Sequence, residues 1–205
     1  MRSFFSLYSY LSVPFIAVLF SSCASMAPVG EPAAYLADYR TQPGQVGDAV
    51  PSPEENGYWD GDGVSGEALI RINIGDQKAY FYKGNQLVAQ TSISTGTEGR
   101  VTPRGRFKVT QKSKDHHSSL YGVIKDNATG AIVNDDAKVG KDIPRAGQTF
   151  VRAPMPNFLR FNNAIGMHTG HLPGYAASHG CVRLPDFMAK HFFQSASLGT
   201  PVIVE

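Results

Sequence analysis

A chain of 205 residues with 42% hydrophobic side chains is long enough for one domain with a real core and too short for two full ones. Its formal net charge of +2 excludes an acidic disordered protein and a strongly basic nucleic-acid binder, so no nucleic acid is expected as a partner. The charge is uneven, with seven acids and one base in residues 23–65 but 17 bases against 10 acids in residues 66–205. Cys23 and Cys181 are the only cysteines, too few for a disulfide framework.

Arg2, an apolar and aromatic stretch from Leu7 to Phe20, then Ser21, Ser22, Cys23 and Ala24 follow the charged, apolar, small-residue order of a secretory signal, which assigns residues 1–22 to a signal peptide. The apolar core, Val13 to Phe20, is interrupted by Pro14 and falls well short of the roughly 20 residues of a spanning helix. Leu19-Phe20-Ser21-Ser22-Cys23 resembles a bacterial lipobox, with Phe20 standing where that pattern prefers Leu. The resemblance implies lipidation of Cys23, anchoring to a membrane and a place in the cell envelope or periplasm. In an organism with two membranes, Ala24 points to the inner leaflet of the outer one. Ordinary cleavage after Ser25-Met26-Ala27 is the alternative. Residues 23–65, with Pro28, Pro32, Pro43, Pro51, Pro53 and an acidic excess, are expected to form an extended linker.

From Gly66 the period becomes two. Ile70, Ile72 and Ile74 alternate with Arg71 and Asn73; Gly75-Asp76 punctuates, Ala79 to Tyr82 continues, and Gly84-Asn85 turns into Gln86 to Ser94, the pattern of a β-meander. A strand is expected over Arg106–Gln111, after the turn-forming Thr102-Pro103-Arg104-Gly105. Residues 113–148 are polar without a sustained period and read as a long excursion, with a short hairpin near Asn127-Ala128-Thr129-Gly130 and a solvated pair at His116-His117. Such loops serve as lids or walls. Pro185, Asp186 and the spacing of Phe187, Met188, His191 and Phe192 mark a short amphipathic helix, and Val202 to Val204 a last strand. The domain over 66–205 is therefore mainly β, with one or two short helices.

The densest group of reactive side chains lies between His168 and Arg183, with His171, His179 and Cys181 between them. A free thiol is mostly protonated at neutral pH and needs a basic or positive neighbour to act as a nucleophile. His179 is two residues from Cys181, on the same face of an extended segment. His168 reaches the thiol only if the chain folds back, and Pro173-Gly174 suggests a hairpin return.

Ile165-Gly166-Met167-His168-Thr169-Gly170 followed by Ser178-His179-Gly180-Cys181-Val182-Arg183-Leu184 resembles the signature of the L,D-transpeptidase (YkuD-like) family of peptidoglycan enzymes. Thr102-Pro103-Arg104-Gly105-Arg106-Phe107 is similar to a second element of the same domain, Thr-Pro-x-Gly-x-Phe. The spacer between His168 and Ser178 is short for the family. The resemblance implies a β-sandwich with the active-site cysteine on a loop at the end of a strand. It implies Cys181 as nucleophile, His168 as proton acceptor and donor, and the Thr169 carbonyl as orienter of the imidazole. Gly180 and Cys181 would supply oxyanion N–H groups, and His179 would shape the site. Ser178 and Arg183 would contact substrate, with Arg183 alternatively bracing the loop. The implied reaction needs no cofactor or metal: Cys181 attacks the L-to-D bond of a tetrapeptide stem, releases D-alanine and forms a thioester. A stem amine, an envelope-protein lysine or water resolves it, giving transpeptidation, protein anchoring or L,D-carboxypeptidase activity. Acylation of Cys181 by carbapenems is implied as well, and a monomer is the default.

Three other readings stay open at this level. His168, His171, His179 and Cys181 could ligate a metal, although the usual ligand spacings are missing. A papain-type protease would need the opposite order of Cys and His. A catalytically idle lipoprotein could bind peptidoglycan without turning it over.

Overall fold

The computed structural model describes residues 56–205; the signal segment, the lipidation of Cys23 and residues 23–55 of the linker lie outside the described residues. Among the described residues, eleven strands and one helix follow in chain order: β1 (Gly57–Trp59), β2 (Ala68–Asn73), β3 (Lys78–Lys83), β4 (Gln86–Ser92), β5 (Gly105–Lys108), β6 (Gln111–Asp126), β7 (Ile132–Lys138), β8 (Gln148–Asn162), β9 (Ile165–Thr169), β10 (Val182–Leu184), α1 (Asp186–Ser195) and β11 (Pro201–Val204). They make a six-stranded sheet, β1-β4-β3-β2-β11-β5, and a five-stranded sheet, β10-β9-β8-β6-β7. The molecule is mainly β, as its alternating sequence demands.

The alternation of β2 and β3 turns Ile70, Ile72, Ala79 and Phe81 inward, where they meet Leu159, Phe161, Met167, Val182 and Leu184 of the second sheet in one buried cluster. Each fully buried Ile, Leu or Phe contributes about 1.5–3 kcal/mol over leaving it exposed. Helix α1 closes this core with Met188, Ala189 and Phe192, one helical stripe, while Asp186 complements the positive end of the helix. Phe192 meets Phe81 edge to face at 5.0 Å. The last strand, β11, lies inside the first sheet, parallel to β2 and antiparallel to β5.

Three expectations are corrected here. The domain starts before Gly66, because β1 pairs with β4 and Trp59 stacks on His191 at 4.8 Å. A large aromatic side chain recruited to the core converts the end of the acidic linker into part of the sheet. The excursion over 113–148 is not a loop: its first part belongs to the 16-residue β6 and its middle to β7, joined by a turn at 127–131 near the expected hairpin. Pairing with β8 along most of its length satisfies the backbone of β6, so its side chains need not alternate where the strand runs along the cleft. The expected 106–111 strand divides into β5 and the start of β6, with Val109 donating to Thr200 O at 2.8 Å between them.

Candidate active site

His168 sits on β9 and Cys181 at the N-terminal end of β10. These strands are parallel neighbours, with Val182 opposite Met167 and Arg183 opposite His168. The proximity therefore comes from a crossover and not from the expected hairpin return at Pro173-Gly174. Parallel strands require a long connection, and the segment after β9 obtains its hydrogen bonds from residues 94–97, the stretch that follows β4. Ser178 N donates to Thr95 O at 2.9 Å and Thr97 N to Ser178 O at 3.0 Å. Ser94 Oγ donates to Tyr175 O at 2.7 Å and accepts from Ala177 N at 3.1 Å.

Thr102, from the Thr-Pro-Arg-Gly element, supplies a second clamp. Its buried hydroxyl donates to Gly180 O at 2.8 Å and accepts from Gly96 N at 3.0 Å, which ties two motifs distant in sequence into one loop. Gly180 adopts φ 115°, a conformation that side chains other than glycine rarely take. It turns the chain between His179 and Cys181, yet both line the same cavity.

That cavity, about 100 Å3, is bounded by His168 and Cys181, by His116, Met155 and Arg160, by Ala164 and Ile165, by Ser178, His179 and Arg183, and by Ser118–Tyr121. Residues 118–121 form a bulge in β6: pairing with β8 is interrupted between His117 and Gly122, and the Ser118 hydroxyl accepts from Leu120 N at 3.2 Å and Tyr121 N at 3.0 Å. The bulge builds one wall.

The His168 ring is buried, at 6% exposure, and its Nδ1 lies 2.7 Å from Thr169 O. A carbonyl can only accept, so Nδ1 carries the proton and Nε2 is left with the basic lone pair. Thr169 is itself held, accepting from Asn157 Nδ2 at 3.1 Å and donating to Asp186 at 3.3 Å. Burial pushes the imidazole down to about 4, against the Thr169 carbonyl, with Arg183 and His116 reinforcing the fall. Burial raises the Cys181 thiol, opposed by the Gly166 N–H and by the charges of Arg160 and Arg183. The resting pair at neutral pH is a thiol beside a neutral imidazole. Cys181 Sγ also lies 3.9 Å from Ala164 O.

His179 places Nε2 at 3.2 Å from Asp136 Oδ1 and its ring at 4.3 Å from Tyr121. Burial pushes it down to about 4, Asp136 opposing and Arg100, Arg183 and Lys138 adding to the fall. It joins the cysteine loop to β7 and the wall.

Ser178 and Arg183, expected at the substrate, line the cavity and are both held by the loop itself. Ser178 is 1% exposed; its hydroxyl donates to Cys181 O and accepts from Gly180 N at 3.0 Å. Arg183 is 2% exposed and donates to His171 O at 3.4 Å and Ala177 O at 3.3 Å, which is the bracing alternative. A buried guanidinium must be satisfied, and the loop's own carbonyls do so. Gly180 N, one of the expected oxyanion pair, is engaged by the Ser178 hydroxyl. His116 is no solvated residue: it stacks on Phe158 at 4.2 Å and 13°. Sequence reasoning missed His116, Tyr121 and Asp136 as individual site residues, because their positions reflect strand register that no local motif reports.

A two-sheet β fold that brings a buried histidine, oriented by a main-chain carbonyl, to the cavity of a thiol defines a class of cysteine-dependent site. The family model of the L,D-transpeptidase catalytic domain (YkuD) matches residues 67–204, and the chain belongs to that family. The Bacillus subtilis protein YqjB, itself classed with the L,D-transpeptidases, is 25% identical over 145 residues, spanning 69% of this chain and 73% of its own. An L,D-transpeptidase structure from Xylanimonas cellulosilytica aligns with TM-score 0.51 at 20% identity, over 70% of this chain and 62% of that one. One from Mycobacterium smegmatis gives 0.49 at 21%, over 68% and 58%. This chain thus spans about three-fifths of the length of those two solved chains, and at such identity the likeness concerns the fold.

Proposed function

We propose that the protein is a peptidoglycan L,D-transpeptidase in which Cys181 is the nucleophile and His168 the proton acceptor and donor. The observation that carries the reading is the 2.7 Å contact of His168 Nδ1 with Thr169 O, which directs the basic nitrogen away from the main chain in the cavity that Cys181 also lines. As Sγ attacks the carbonyl of the L-to-D bond, its proton passes to His168 Nε2. Because the imidazole is a weak base, transfer accompanies attack instead of preceding it. The Cys181 N–H supports the developing oxyanion, in the role expected of the pair. Collapse breaks the C–N bond, His168 protonates the departing D-alanine amine, and a thioester remains. An acceptor amine then loses its proton to His168, attacks the thioester carbonyl and restores the thiol. No metal or cofactor enters these steps.

A stem amine as acceptor gives a 3–3 crosslink; an envelope-protein lysine gives anchoring, and water gives carboxypeptidase activity. The lipid anchor at Cys23 and the envelope location belong to the same reading, resting on the lipobox-like sequence. The test is incubation of the purified protein, with a Cys181→Ala control, with disaccharide tetrapeptide and mass spectrometry of the products. Loss of D-alanine with a 3–3 dimer, absent from the control, is expected. Retention of every D-alanine together with an unreactive thiol would overturn the reading.

A further inference from the structure

We propose that Arg160 is the receptor for a substrate carboxylate, the free α-carboxylate of the residue released when Cys181 is acylated. The assignment rests on the acyl-transfer reading above and adds to it the basis on which the donor is chosen. Arg160 lines the cavity together with His168 and Cys181. Its Nε donates to Gln111 Oε1 at 2.7 Å and its Nη1 to Asn163 O at 2.6 Å, and the guanidinium lies over the Phe158 ring, 5.2 Å from the centroid. Every one of these partners is neutral. Among the described residues Arg160 takes part in no ion pair, whereas Arg71 and Arg100 both face carboxylates. The other guanidinium at the cavity, Arg183, is 2% exposed and turned to loop carbonyls. Arg160 is thus a half-buried, immobilised cation with its remaining N–H groups available to an anion.

Its position suits one particular anion. The guanidinium hangs on Asn163 O and the thiol on Ala164 O at 3.9 Å, adjacent carbonyls of the turn between β8 and β9. In a tetrapeptide donor the scissile nitrogen and the terminal carboxylate are attached to the same carbon. A donor whose carbonyl rests on Cys181 Sγ therefore presents that carboxylate a few bonds away, where the fork can take it in a charge-assisted, bidentate manner. The charge of Arg160 is also felt at two other cavity groups, His116 and Cys181. A donor with a further residue after the D-alanine lacks the carboxylate at this place, so the site selects stems that end there.

The experiment is calorimetric binding to the full-length Cys181→Ala protein, which holds the ligand without consuming it. The probes are disaccharide tetrapeptide with a free terminal carboxylate and the same compound ending in a carboxamide. The carboxamide is expected to bind about tenfold more weakly. In the Cys181→Ala/Arg160→Gln protein the two affinities converge, and Arg160→Lys, which keeps the charge but not the fork, falls between. Because each protein is compared with itself on two ligands, partial unfolding of a variant cancels in the ratio. Equal affinities in Cys181→Ala, or an equal loss of both in the Arg160→Gln protein, would overturn the assignment. D-Alanine release by the unmutated protein is measured alongside: a carboxylate preference without release would support Arg160 as receptor while removing the acyl-transfer reading.

Discussion

A half-buried, neutral Cys181 and a weakly basic His168 set the reactivity of the site. With the thiol raised by burial, iodoacetamide should alkylate it slowly at neutral pH, and the rate should climb only above the ordinary cysteine range. A plateau reached below pH 7, read from a pH series of pseudo-first-order rates, would show a preformed ion pair instead. Thr102 offers a second test. Thr102→Val preserves shape but deprives Gly96 N and Gly180 O of their buried partner, which costs about 1–3 kcal/mol. Thermal unfolding should shift downward by about 2–4 °C for each kcal/mol in a domain of this size. D-Alanine release should suffer as well, since the loop carrying Cys181 loses its clamp. At this scale the sequence was most informative where chemistry is written in contiguous motifs. His168, Thr169 and Cys181 could be named because each falls in a short signature. Asp136 could not, because what makes it notable is the neighbour supplied by another strand.

Among the elements, β6 is the most consequential and was the least legible. Its residues 113–121 are polar, since one side lies along the cleft and the other faces solvent, so the burial that would impose a period of two is absent there. The meander of β2 to β4 was readable because one face of each strand is driven into the core. The bulge at 118–121 ends at Gly122, where an added Cβ would lie 2.2 Å from Val151 O. Gly122→Ala therefore requires β6 and β8 to separate at the base of the wall. We expect lowered thermal stability, measured by calorimetry, and a weaker response to the tetrapeptide than at an exposed control such as Lys141→Ala. The parallel arrangement of β9 and β10 escaped a local reading for a similar reason: Pro173-Gly174 signals a change of direction but not the sheet to which the chain returns.

Across the whole molecule, two histidines are kept neutral inside the fold, His168 and His179, each pushed down from 6.5 to about 4. Between those values the unfolded chain binds more protons than the folded one, so stability rises with pH through that window. The contribution is fully present above about 6.5 and is lost as pH falls to about 4; for His168 alone it amounts to about 3 kcal/mol. Calorimetric melting temperatures from pH 7 to pH 4 should fall accordingly, and His168→Gln should make the fall shallower. An unchanged slope in that variant would mean that His168 is protonated within the fold.

The bulge in β6 is bracketed by regular pairing with β8 on either side, His117 opposite Pro154 and Gly122 opposite Arg152. Tyr121 still pairs with Lys138 of β7, but residues 118–120 leave the β8 ladder, so side chains between Ser118 and Leu120 can be exchanged while both halves of the strand stay opposite β8. The cleft thus possesses an interchangeable part, and selectivity can diverge there by grafting alone, with the cysteine, the histidine and the core beneath them left untouched.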